Sequence, residues 1–60
     1  MNHLKKYREK LGLTQKDVAK QLGMSVRGYQ NYELGYRIPD VYQAKKIAKI
    51  LKVNINKLFP

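Results

Sequence analysis

Between Leu22 and Val26 the chain holds a helix stop and a helix start with almost nothing between them. Gly23 is the residue type expected just past a helix end, because glycine enters the left-handed backbone region there without steric cost. Ser25 is an N-cap residue, whose hydroxyl can accept from the free amides of a new first turn. Only Met24 separates the two, so a turn of about three residues must join two helices, and any fold has to be built around that pair.

The remaining segments fall into place on either side. The helix before the turn opens at Thr14, with Asp17 completing a capping-box pattern, and its inward side is Val18, Ala19 and Leu22. The helix after the turn runs from Val26 to about Leu34 and stops at Gly35; helical geometry turns Tyr29 and Tyr32 inward. Upstream, a first helix follows an Asn2 N-cap, carries Leu4, Tyr7, Arg8 and Leu11 on one face, and ends at Gly12. Downstream of the loop Tyr36, Arg37, Ile38, Pro39, the Asp40 carboxylate suits the positive end of a fourth helix. That helix reaches Leu51 with Val41, Ala44, Ile47, Ala48 and Leu51 on one stripe. Asn54 caps a short fifth helix ending at Leu58 and Phe59. The expectation is an all-α, five-helix fold with one domain spanning 1–60. Two residues sit against the pattern. Gly28 lies inside the third helix, where glycine costs about 0.5–1 kcal/mol relative to alanine; either it lets the backbone approach a ligand closely or tertiary packing absorbs the loss. Lys52 stands where a stop glycine is expected, so its backbone is strained or the stop is made differently.

Composition narrows the function. Sixty residues support one small core, and with no cysteine and a single His3 lacking a partner at ligand spacing, neither disulfides nor a metal can reinforce it. Apolar runs are too short for a membrane span and the N-terminus has no secretory pattern, so a cytoplasmic location is expected. Thirteen Lys and Arg against four Asp and Glu give a net charge of +9, which points to a polyanionic partner, nucleic acid first. No cofactor and no small-molecule ligand is expected.

The strings Leu11-Gly-Leu-Thr-Gln15, Val18-Ala19, Leu22-Gly23-Met-Ser25, Tyr32-Glu33-Leu-Gly35, Arg37-Ile-Pro39, Ile47-Ala48-Lys-Ile-Leu51 and Leu58-Phe59 occur here in one order and spacing. Each alone is weak; together they resemble the Cro and phage-repressor type of helix-turn-helix family over nearly the whole chain. The resemblance implies a lambda-repressor-like globule whose second helix crosses the DNA backbone and whose third enters the major groove, where every base pair shows a distinct pattern. It places Val26, Arg27 and Asn31 at base-reading positions: Arg27 suits guanine, Asn31 adenine and Val26 a thymine methyl. Gln15 matches a phosphate-binding position, Ser25 and Gln30 are further backbone contacts, and Tyr36 and Arg37 form a loop that grips the backbone. Arg8 and Glu33 match a largely buried structural ion pair.

The function implied is sequence-specific binding of double-stranded DNA, as a transcriptional repressor acting as a homodimer on a palindromic operator. Val53, Ile55, Leu58 and Phe59, with the loop near Tyr36, are the expected dimer contacts, although Leu58 and Phe59 suit closure of the monomer core equally well. Lys45, Lys46, Lys49 and Lys52 form an outer, solvated face whose field speeds encounter with DNA. An antitoxin-type module that binds both a protein partner and its own operator is the alternative, and sequence-independent nucleic-acid binding ranks third. An enzyme is not expected, since Asp17 and Asp40 read as caps and Glu33 as paired.

Overall fold

The computed structural model describes residues 2–60, and among these the elements are α1 (Leu4–Lys10), α2 (Gln15–Leu22), α3 (Val26–Leu34), α4 (Val41–Leu51) and α5 (Ile55–Leu58), with no strand. Local capping chemistry sets most boundaries. Thr14 and Asp17 form a complete capping box, at 3.0 and 2.8 Å. Ser25 accepts from the Gly28 amide at 3.0 Å, and Asp40 accepts from Gln43 at 2.8 Å. The first cap differs slightly from expectation. His3 occupies the cap position, while the Asn2 side chain accepts from Leu4 N and donates to the Tyr32 carbonyl at 2.7 Å. Asn2 thereby fastens the start of α1 to the end of α3.

One core lies between the helices. Leu4, Val18, Ala19, Leu22, Tyr29, Tyr32, Ile47, Ala48, Leu51 and Leu58 are all buried, and Tyr29 and Tyr32 meet edge to face at 6.5 Å. Two members of the expected apolar faces stay outside. Val41 is 69% exposed because it begins α4, ahead of the turns that pack on the core. Leu11 follows the last residue of α1, so its side chain leaves the α1 face and is 41% exposed. No helix is long and apolar enough to cross a membrane among the described residues.

Lys52 does adopt the left-handed conformation, at φ 59° and ψ 39°, and is the one non-glycine residue with positive φ among the described residues. A side chain in that region costs about 1–2 kcal/mol, part of which glycine returns through its freer unfolded chain. Lys52→Gly is therefore expected to stabilise the fold by about 0.5–1 kcal/mol, which thermal unfolding followed by circular dichroism would register as a rise of about 4 °C. An unchanged or lower midpoint would contradict the strain.

Candidate nucleic-acid interface

The capped turn between α2 and α3 presents one face of α3 to solvent. At 3.6 residues per turn, Val26, Gln30, Leu34, Arg27 and Asn31 occupy an arc of about 140°, opposite the buried Tyr29 and Tyr32. Val26, Arg27 and Leu34 are exposed; Gln30 and Asn31 are half-buried. No acidic side chain stands on this arc, and among the described residues the Arg27 guanidinium has no carboxylate partner. The arc therefore offers a cation, two amide groups and an apolar surface, side by side on one rigid element.

Gln15 and Gln30 are joined, which their positions 15 residues apart do not reveal. Gln30 Nε2 donates to Gln15 Oε1 at 2.9 Å, and Gln15 Nε2 donates to Glu33 Oε1 at 3.0 Å. Glu33 in turn receives Arg8 Nε at 2.6 Å, while Arg8 Nη1 donates to the Leu13 carbonyl at 2.8 Å. An amide relay thus runs from the interior ion pair to the exposed arc. It spends one N–H and one lone pair of the Gln15 amide; the second N–H makes no hydrogen bond among the described residues.

Arg8 and Glu33 form the ion pair at the root of this relay, with side chains only 10% and 4% exposed. Burial alone would push the Glu33 carboxyl up, but the hydrogen bonds from Arg8 and Gln15 and the Arg8 charge outweigh it and hold the carboxyl below the usual glutamate range. The Tyr29 hydroxyl is buried beside Glu33 without reaching hydrogen-bond geometry to any described residue. Desolvation and the neighbouring carboxylate push its ionisation above the usual tyrosine range, so it stays a neutral core group.

Gly28 lies against the side chains of the turn that precedes α3. A Cβ built there would stand 2.9 Å from Met24 Cε and 3.2 Å from the capping Ser25 Oγ. The glycine leaves room for the side chain of the turn to fold back against α3, where Met24 Sδ also accepts from Gln43 Nε2 at 3.7 Å.

Past Gly35, the Tyr36 and Arg37 amides both donate to the Asn31 carbonyl, at 2.9 and 3.2 Å, which ties the loop to the end of α3 while leaving both side chains exposed. The expected dimer contacts divide. Leu58 is fully buried in the core and has no surface to offer a second copy, and Val53 is half-buried against the same core. Ile55 and Phe59 instead line a shallow apolar groove of about 290 Å³ with Ile38, Pro39, Val41 and Ala44. Ile38 belongs to the loop expected near this surface, whereas Val41 was not anticipated on it, because an amphipathic pattern assigns Val41 to the core.

A family model described as helix-turn-helix matches residues 4–58. The chain is similar to the uncharacterized HTH-type transcriptional regulator YqaE of Bacillus subtilis (strain 168), 41% identical over 56 residues, which cover 93% of this chain and 48% of that protein. It is also similar to the HTH-type transcriptional regulator ImmR of the same organism, 36% identical over 55 residues, covering 92% and 43%. A third relative, the uncharacterized HTH-type transcriptional regulator MJ0272 of Methanocaldococcus jannaschii, is 43% identical over 58 residues, covering 97% and 88%. The chain spans about half the length of the two Bacillus relatives.

Proposed function

Given that this chain belongs to the helix-turn-helix family, we propose that it binds double-stranded DNA through the exposed arc of α3 and represses transcription by occupying a palindromic operator as a homodimer. One observation carries the reading. Val26, Arg27 and Asn31 share a carboxylate-free arc of a helix whose opposite side is locked into the core. A helix fits the major groove, and there Arg27 has the donors for guanine O6 and N7, Asn31 the donor and acceptor for adenine N6 and N7, and Val26 a surface for a thymine methyl.

Backbone contacts hold the register. Gln15 serves a phosphate with its remaining N–H, Ser25 and Gln30 serve as rim contacts, and Tyr36 and Arg37 reach phosphates from the loop. The groove lined by Ile38, Val41, Ile55 and Phe59 supports pairing of two copies, since apolar residues gathered on one surface are covered favourably by a second such surface. Two α3 helices related by a two-fold axis then read half-sites about one helical turn apart. The net charge of +9 speeds encounter with any duplex and adds affinity without sequence preference.

Selection of bound sequences from a random duplex pool at defined ionic strength tests the reading. A two-fold symmetric consensus is the expected outcome. Recovery of unselected sequence would replace sequence-specific regulation by non-specific binding, and an asymmetric single half-site would remove the dimer.

A further inference from the structure

The amide relay at the crossing of α2 and α3 has a fixed polarity. A carboxylate only accepts, and the hydrogen bonds from Arg8 and Gln15 keep Glu33 in that form. Gln15 must therefore turn its Nε2 to Glu33 Oε1, at 3.0 Å, and its own Oε1 away. That oxygen meets Gln30, which must in turn give its Nε2, at 2.9 Å. An exposed amide outside such a chain turns over freely and offers either end. Here the buried ion pair decides which end of Gln30 is left over.

What is left over is an acceptor. Gln30 Oε1 receives no hydrogen bond from any described residue, and it is not buried, because the one buried side-chain polar atom without a partner among those residues is the Tyr29 hydroxyl. Helical geometry sets Gln30 about 40° from Val26 and about 60° from Arg27, inside the arc that Val26 and Asn31 bound. A phosphate oxygen also only accepts, so it has nothing to give Gln30 Oε1. In the major groove the donors are exocyclic amino groups, N6 of adenine and N4 of cytosine, whereas guanine and thymine offer acceptors there. The second N–H of the Gln30 amide adds adenine N7 as a further partner.

We infer that Gln30 determines sequence preference: held by Glu33 through Gln15 with its oxygen outward, it selects a base that carries an exocyclic amino group, adenine or cytosine, at one position of the site. This rests on the DNA-binding reading above and gives Gln30 a role beyond that of a rim contact. Glu33 and Gln15 are positioning residues for that base and act on it only through Gln30.

The test uses the full chain and the duplex it selects from a random pool, with circular dichroism checking that each variant is folded. At one position the wild type is expected to prefer adenine or cytosine over guanine or thymine by about fivefold or more. The same base without its amino group, purine for adenine or 2-pyrimidinone for cytosine, should lose that factor, a measurement that needs no variant. Gln30→Leu should lose it too, and the two losses should not add. Gln30→Lys keeps a donor for Gln15 but offers no acceptor, and should transfer the preference to guanine. Gln15→Met leaves Gln30 in place but unoriented; it should weaken binding to every duplex and flatten the preference at that position alone. Losses that add, a wild-type preference for guanine or thymine at the position that Gln30→Lys changes, or a preference that survives in Gln15→Met would each overturn the inference. So would Gln30→Leu losing affinity equally on selected and random duplex, the mark of a backbone contact. The two levels separate cleanly: a consensus that Gln30→Leu leaves intact removes this inference alone, whereas a wild type that prefers no sequence removes the underlying reading as well.

Discussion

Arg8→Ala is expected to leave a large fraction of the molecules unfolded at physiological temperature. The substitution strands the Glu33 carboxylate, 4% exposed, and deprives the Leu13 carbonyl of its donor. Removing one partner of a buried pair costs about 3–5 kcal/mol, against a total stability of about 3–9 kcal/mol for a chain of this length. Urea denaturation is the direct measurement, and a loss below about 1 kcal/mol would mean that solvent reaches the pair and replaces it. The pair also carries a pH signature with a defined sign. Because the folded state holds Glu33 below its ordinary value of 4.5, its contribution is fully present above that value and fades as pH falls through the lower, folded value. Glu33→Gln should therefore be less stable than wild type at neutral pH, and its stability should fall less steeply in acid. Parallel pH profiles for the two proteins would assign the acid sensitivity elsewhere.

The same variant reaches the surface. Glu33 orients Gln15 and Gln15 orients Gln30, so molecules of Glu33→Gln that remain folded should hold the first turn of α2 less firmly. The capping box of Thr14 and Asp17 is independent of this relay and should persist.

Arg27→Ala is expected to produce the largest change in recognition. Arg27 is exposed on the α3 arc and makes no ion pair among the described residues, so its removal disturbs no core packing. A good bidentate contact to guanine discriminates by about 1–3 kcal/mol, or about 5- to 150-fold in affinity. The variant should lose that factor on the selected site, bind random duplex almost as before, and become indifferent at one base pair of each half-site. Equal losses on the selected and the random duplex would make Arg27 a phosphate contact, and the salt slope would then fall by about one unit.

What the sequence determined by itself is everything coded between near neighbours. The capping box at Thr14 and Asp17, the caps at Ser25 and Asp40, and the left-handed stops at Gly23 and Gly35 each join residues no more than five apart. Helical periodicity turned Tyr29 and Tyr32 inward and left Val26, Arg27 and Asn31 on the other side by the same local rule. The family pattern supplied Arg8–Glu33, a pair that no local spacing indicates.

Only the packing of helices against one another decided the rest. The link from Gln30 through Gln15 to Glu33 joins two residues one turn apart on α3 to a side chain of α2 that lies 15 and 18 positions away, and it exists because α2 and α3 cross where those side chains meet. Val41 follows the apolar period yet faces solvent, since no element covers its side of the first turn of α4, whereas Leu58 is taken wholly into the core. At Gly28 the terminal methyl of Met24, from the turn, occupies the space a Cβ would enter. Periodicity states which residues share a side of a helix; whether that side is covered depends on where the other helices end, and that is a property of the assembled chain.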